Sequence, residues 1–279
     1  MVQVGAPGFG TGTVTVVAQV AADALGTPVE ECRFAHGGTG LPGAASAVGS
    51  AGAGMTSGAV HNAATALRKQ LIEPAVADPG SPPHGASPAD VVVRGGVMTA
   101  GAATESCADL LRRTHRQDIE VTAAWHPFNP MEIPCGPLTF GARFAEVAVD
   151  PELGLIRVRR MVGAFAPGRV LNPKTASGQL MGGMLWGLGQ ALLEANSMEP
   201  DAGRWANLSL GEYLVPVNAD APEVEVELIE VEDRVVNPLG VKGVGEIGQV
   251  GAAAAIANAV HHATGRRVRK LPITIEDML

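Results

Sequence analysis

Gly243-Val244-Gly245-Glu246-Ile247-Gly248 leads through Gln249-Val250-Gly251 into the alanine-rich run Ala252 to Val260. The G-x-G-x-x-G spacing is that of a dinucleotide fingerprint, in which glycines allow a tight turn and close approach of backbone to a pyrophosphate. Its context argues against that use. A nucleotide-binding βαβ unit needs a strand directly before the first glycine and a second βα half after it. Here Val235-Val236-Asn237-Pro238-Leu239-Gly240 is a poor strand, and too few residues follow Gly248. An NAD-dependent dehydrogenase is therefore the weaker reading. What remains is an apolar, strained loop that sets one carboxylate, Glu246, at a helix entrance among Val244, Ile247 and Val250. Apolar burial disfavours a carboxylate and helix amides favour it, so the expectation is a buried acid tuned towards general-base work.

The rest of the composition narrows the function classes. With 279 residues the chain is long enough for one large domain or two intimately packed ones. Its 36 glycines and 4% aromatic residues imply an aliphatic core with tight loops. Twenty Lys and Arg against 28 Asp and Glu give a formal charge of −8, which disfavours a grip on nucleic-acid phosphates. Cys32, Cys107 and Cys135 lie far apart with no C-x-x-C pair, so they assemble neither a zinc site nor an iron–sulfur cluster alone. The histidines include no H-E-x-x-H, so no protein-borne metal site is expected. No charged n-region with an apolar core opens the sequence, and no run of about 18 apolar residues occurs. The expectation is a cytoplasmic chain without signal peptide or membrane span.

Gly5 to Thr13 reads as a loop before a helix with Val16, Val17, Val20, Ala21, Ala24 and Leu25 on one face, stopped by Gly26. The threonines are expected to cap it, leaving amides that form an anion site. A second loop, Gly49-Ser50-Ala51-Gly52-Ala53-Gly54, precedes a helix carrying Val60, Ala64, Leu67 and Leu71 that Pro74 should end. Pro, Gly and Ser crowd the stretch from Val76 to Ala89, the candidate internal boundary at 76–89. Beyond it lie β-like runs at Val91 to Arg94 and Ile119 to Ala123, with a helix around Ala108 to Thr114 between them. Thr139 to Val149 and Leu155 to Val162 flank Asp150-Pro151-Glu152-Leu153-Gly154, a hairpin by its turn chemistry. Ala176 to Ala195 is a long helix whose Gly178, Gly182, Gly183, Gly187 and Gly189 point to close packing. Glu223 to Ile229 alternates acids with aliphatics, a strand with one wet face, and Gly251 to Thr264 is an apolar helix followed by the basic cluster Arg266 to Lys270.

Several segments together resemble the molybdopterin-binding large subunit of the xanthine dehydrogenase and aldehyde oxidase family of molybdenum hydroxylases. They are Gly10-Thr11-Gly12-Thr13 leading into Val17 to Ala21, Phe140 to Val147, Asn172-Pro173 with Gly178 to Gly183, Trp186 to Leu192, and Lys242 to Glu246. They stand in the family's order and span nearly the whole chain. The tail, Ala252 to Val260 into Leu271-Pro272-Ile273, is most similar to bacterial aldehyde oxidoreductases that use a molybdopterin cytosine dinucleotide. The resemblance implies a mixed α/β (α+β) fold, with residues 1–279 as the C-terminal molybdopterin-binding portion. It implies that Glu246 takes a proton from a molybdenum-bound hydroxide, whose oxygen attacks an aldehyde or an electron-poor ring carbon while hydride passes to a sulfido ligand. It implies that the cofactor is held by Gly10, Thr11, Gly12, the loop around Ser50, Gln179 and the backbone around Lys242, Gly243 and Gly245, with no protein ligand to the metal. The implied partners are an N-terminal half, an iron–sulfur chain and an FAD chain, the latter two carrying the remaining redox groups, in a hetero-oligomer acting on a small molecule. Two departures stand out: the chain lacks the family's N-terminal half, and Ala51-Gly52-Ala53-Gly54 lacks the threonines common there. A rival expectation is a cofactor-binding fragment that keeps the fold without turnover.

Overall fold

A short strand, β1 (Val2–Val4), leads through the glycine loop into α1 (Thr13–Leu25), which buries Val16, Val17, Val20 and Ala21 as the helical spacing requires. The computed structural model describes residues 1–44, 46–125, 138–235 and 237–279. Gly26 ends α1 at φ 69°, where a β-carbon would strike the Val93 carbonyl. The start of α1 corrects the expected threonine cap. Gly12 is the N-cap at φ 80° and no side chain caps the helix, because the Thr11 and Thr13 hydroxyls lie 3.0 Å apart and bond to each other.

β2 (Phe34–His36) pairs in parallel with β1. α2 (Gly52–Ala77) begins inside the small-residue stretch, so Gly52, Ala53 and Gly54 form its first turn and not a loop. Pro74 lies within α2 and does not end it; so near the C-terminus, its missing N–H removes a single bond and Ala75 to Ala77 complete the turn. β3 (Val92–Arg94), β4 (Val97–Ala100) and β5 (Ala103–Ser106) form an antiparallel meander. α3 (Cys107–Arg113) follows, and Ser106 Oγ accepts from the Asp109 amide at 3.0 Å as its cap. Ile72, Ala75, Val91, Val93, Met98 and Leu110 make the core here.

The run Ile119 to Ala123 is not a strand. Alternation alone supplies no ladder partner, and the residues just after the run contact α2. Asn62 Nδ2 donates to the Ala124 carbonyl at 3.1 Å, and a β-carbon on Gly58 would sit 2.8 Å from the Trp125 indole. These elements belong to one compact unit, Met1–Gly136 with Arg234–Val241; Pro137–Asp233 with Lys242–Leu279 is the second. The connection at 76–89 runs inside the first unit, tied by Ser81 Oγ to Glu105 Oε2 at 2.7 Å and by the Gly85 amide to the Val76 carbonyl at 2.9 Å.

In the second unit, β6 (Phe140–Val149) and β7 (Ile156–Ala166) form the expected antiparallel hairpin, with an irregularity between Glu146 and Val147. Asp150 Oδ1 accepts from the Glu152 and Leu153 amides at 2.9 and 3.0 Å, and Gly154 supplies φ 66°. α4 (Pro173–Leu192) starts earlier than Ala176, since Asn172 Oδ1 caps the Thr175 amide at 3.0 Å and Pro173 fits the first helical position. A small pair, β8 (Met198–Glu199) with β9 (Arg204–Trp205), precedes β10 (Glu223–Leu228), which joins β7 in parallel. The β10 acids stay on the wet face, where Glu225 Oε1 accepts from Arg160 Nε at 2.9 Å. α5 (Ala252–Thr264) and α6 (Ile275–Met278) complete the unit.

One sheet face, through Met161 and Phe165, packs on Leu180, Met184 and Leu188 of α4 and on Ala252, Ile256 and Val260 of α5. Two of the five α4 glycines bring α4 close to α5 and the turn before it, Gly183 against Gly248 and Gly187 against Ala252, while Gly189 lies against Glu194 and Pro216. Gly178 and Gly182 face open space. The basic cluster after α5 has specific partners: Arg266 donates to the Asp277 and Leu279 carbonyls at 3.4 and 2.9 Å, and Lys270 pairs with Asp277 at 3.1 Å.

Candidate functional site

The segment from Lys242 to Gly251 enters α5 as a run of turns whose backbone is held from outside. Thr139 Oγ1 donates to the Gly243 carbonyl at 2.7 Å, Gln179 Nε2 to the Gly245 carbonyl at 2.9 Å, and Arg143 Nη2 to the Ile247 carbonyl. Three side chains thus take alternate carbonyls of one loop. From inside, the Gln249 and Val250 amides both donate to the Glu246 carbonyl, at 3.0 and 3.3 Å. Gly248 presses on α4: a β-carbon there would lie 2.5 Å from the Leu180 carbonyl oxygen. Gln249 Nε2 also donates to Gln190 Oε1 at 2.5 Å.

Glu246 is exposed, which corrects the expectation of a buried acid. Val244 and Ile247 pack against the core, whereas Glu246 and the 53%-exposed Val250 lie on the outer side of the turn. Glu246 therefore stands as an exposed residue on a backbone held at the carbonyls on either side of it. Lys242 is the opposite case. Its side chain is 8% exposed, with Nζ 2.7 Å from Asp233 Oδ2 and donating to the Leu138 carbonyl at 3.4 Å, while its amide donates to the Pro167 carbonyl at 3.0 Å.

Gln179, Lys242, Gly243, Gly245 and Glu246 come together in the second unit; Gly10, Thr11, Gly12 and Ser50 belong to the first. In the first unit, Gly10 and Gly12 have φ 96° and 80°, and a β-carbon on Gly10 would meet nothing within 4 Å. Ser50, at φ 59°, precedes α2, whose N-terminus, like that of α1, has no side-chain cap. Two helices thus present amide groups after left-handed residues, a donor set that fits a phosphate-bearing cofactor.

The sequence reading missed four residues, Arg143, Thr139 and Asp233 in the second unit and Asn237 in the first. Arg143 stands on the inward phase of β6, between Gly141 and Ala145, where a charge signals a built contact. Thr139 and Asp233 carried no local signal. Asn237 shapes the turn at Val241: its Oδ1 accepts from the Leu239 and Val241 amides at 3.0 and 3.1 Å, and its Nδ2 donates to the Val241 carbonyl at 2.7 Å. Burial pushes the Cys32 and Cys107 thiols up, away from thiolate chemistry; Cys135 lies outside the described residues. Among the described residues no three His, Cys, Asp or Glu gather as a metal site, and no helix is long and apolar enough to cross a membrane.

Comparison with known proteins bears on this geometry. Residues 1–222 match the molybdopterin cofactor-binding domain. The chain is 38% identical over 271 residues to the aldehyde oxidoreductase molybdenum-binding subunit PaoC of Escherichia coli (strain K12), an alignment covering 97% of this chain and 35% of that protein. It is 31% identical over 288 residues to the nicotine 6-hydroxylase large subunit of Paenarthrobacter nicotinovorans, covering 97% and 34%. The solved structure of quinoline 2-oxidoreductase from Pseudomonas putida 86 superposes with a TM-score of 0.79 at 26% identity, over 98% of this chain and 35% of that one. The chain spans about a third of the length of these relatives. With most of its length matched, the chain belongs to the molybdopterin cofactor-binding domain family, that of the aldehyde oxidoreductase and xanthine dehydrogenase subunits.

Proposed function

We propose that the chain is the part of a molybdenum hydroxylase that grips a molybdopterin cofactor, as its cytosine dinucleotide, and supplies Glu246 as general base. The observation that carries this is an exposed carboxylate on a loop whose carbonyls are held by Thr139, Gln179 and Arg143. The substrate class is an aldehyde or an electron-poor N-heteroaromatic ring, as the names of the relatives suggest. In the overall reaction a substrate C–H carbon gains oxygen from water, gives up two electrons and releases two protons. When bound, the cofactor supplies the two-electron acceptor and the position at which water is activated. Glu246 takes up, at a carboxylate oxygen, the proton that water loses as its oxygen adds to the substrate. The amides behind Gly10, Thr11 and Gly12, and those behind Ser50, hold phosphate oxygens. Gln179, Lys242, Gly243 and Gly245 keep the loop backbone in place beside the pterin. The remaining two-thirds of the subunit, an iron–sulfur chain and an FAD chain complete the electron path in a cytoplasmic hetero-oligomer.

The test is Glu246→Gln in the assembled, molybdenum-loaded enzyme. The substitution keeps volume and cannot accept the proton. Turnover is expected to fall by about 10²–10⁴-fold with molybdenum content unchanged. A fully loaded Gln variant within threefold or so of the parent refutes the role of Glu246.

A further inference from the structure

We infer that Arg143 is a positioning residue, which fixes the turn bearing Glu246 by clamping the Ile247 carbonyl while its own guanidinium is held over the Phe165 ring. The inference rests on the reading of Glu246 as the base. Arg143 Nη1 donates to the Gly141 carbonyl at 2.9 Å, Nη2 donates to the Ile247 carbonyl, and the guanidinium carbon lies 4.6 Å from the Phe165 ring centroid. The bed for this stack is built from glycines. A β-carbon on Gly141 would lie 2.8 Å from the Phe165 ring, and one on Gly163, which pairs with Arg143 across the hairpin, would run into that ring.

The arrangement is costly for the fold alone. Arg143 Nε is buried without a hydrogen-bond partner, and burial pulls the guanidinium below its ordinary value. An apolar side chain of similar volume often serves a core as well or better than a buried charge. A cation kept at this position is accounted for by what it holds, and its far end holds the residue next to Glu246. Gln179 and Thr139 act on Gly245 and Gly243, but Arg143 alone of the three clamps the C-terminal side of Glu246.

The test compares Arg143→Met and Arg143→Lys with the parent and with Glu246→Gln, by amide hydrogen exchange and by steady-state kinetics of the assembled enzyme. The Gln249 and Val250 amides, both bonded to the Glu246 carbonyl, report the turn; the Ile256 and Val260 amides of α5 are the control. Arg143→Met is expected to speed exchange at Gln249 and Val250 by about tenfold or more, the loss of one charge-assisted bond, with α5 within about twofold. Arg143→Lys should lie between the two. In the assembled enzyme Arg143→Met should lower kcat about 10–100-fold with KM within about threefold. Unchanged exchange at Gln249 and Val250 overturns the inference. So does acceleration of α5 to the same degree in both variants, which would make Arg143 a residue of the fold. Parental turnover in Glu246→Gln would instead overturn the base assignment, and the exchange comparison still decides the clamp.

Discussion

Replacing Gly248 by alanine places a methyl where α4 leaves no room. The added β-carbon would lie 2.5 Å from the Leu180 carbonyl oxygen, 3.0 Å from its Cα and 3.1 Å from its carbonyl carbon. All three are helix backbone, so no flexible side-chain end can swing aside. The contact is also tight from the other side, with a Gly183 β-carbon 2.8 Å from the Gln249 nitrogen and the Gly248 Cα. Relief therefore requires the turn to move off α4 by roughly an ångström, and overpacking of this kind costs about 1–3 kcal/mol. With backbone fixed on both sides, the expectation is about 2 kcal/mol. Gly178→Ala and Gly182→Ala on the same helix should have the opposite sign. Their β-carbons meet nothing within 4 Å, so each should stabilise by about 0.5–1 kcal/mol through helix propensity and a less flexible unfolded chain. Urea unfolding curves at matched slope measure all three. A Gly248→Ala midpoint equal to the parent's, or Gly182→Ala falling as far as Gly248→Ala, would refute the packing argument.

Two further perturbations probe each unit. Glu105, with its side chain 3% exposed, receives Arg113 Nε at 2.9 Å and Nη2 at 3.1 Å along with the Ser81 hydroxyl, while Arg113 also pairs with Asp78. Glu105→Ala is expected to cost about 3 kcal/mol in urea unfolding, the low end for breaking a buried pair because Arg113 keeps Asp78; a loss under about 1 kcal/mol would show the cluster to be solvated in effect. The Thr274 amide, followed by Lys270, holds the Asp277 carboxyl below the usual carboxylate range. A depressed folded-state value means stability present above the unfolded value and lost as pH falls through the folded one. The gap in thermal midpoint between parent and Asp277→Asn should be full at neutral pH and shrink on acidification below about pH 4, and a gap that persists in acid counts against the capping role.

What the sequence made legible follows from the range of the forces involved. α1, α4, α5 and the β6–β7 hairpin rest on periodicity and on turn residues such as Asp150 and Gly154, which act within a few positions. The run Ile119 to Ala123 has strand composition and, among the described residues, no strand paired with it, and a ladder cannot be read from one side. The clamp on the Glu246 loop was hidden for the same reason: Thr139 and Arg143 reach carbonyls 104 positions away, and Gln179 one 66 positions away. Gln179 was singled out as a cofactor contact, and the structure commits one of its amide hydrogens to the Gly245 carbonyl. The apolar company of Glu246 misled on burial. Val244 and Ile247 do turn to the core, but the tight turn between them leaves Glu246 on the outside.

That outward turn changes how the proposed base is prepared. A carboxylate buried in the fold would impose its desolvation penalty on folding itself, several kcal/mol unless matched by partners. Glu246 is exposed, so the fold itself carries little of that penalty and holds the backbone beneath the acid. On the proposed function, stripping water from the carboxylate belongs to the occupied state, where a bound cofactor and substrate would exclude solvent and strengthen the charge interactions among them. Order in the backbone and openness at the side chain are thus separate provisions, the first made by Thr139, Arg143, Gln179 and Gly248, the second by the inward turn of Val244 and Ile247. Gly248→Ala and Arg143→Met disturb the first provision and leave the acid in place, whereas Glu246→Gln removes the acid and leaves the backbone held. A base that needs both should lose turnover in either case, and only the backbone variants should also speed exchange at the Gln249 and Val250 amides.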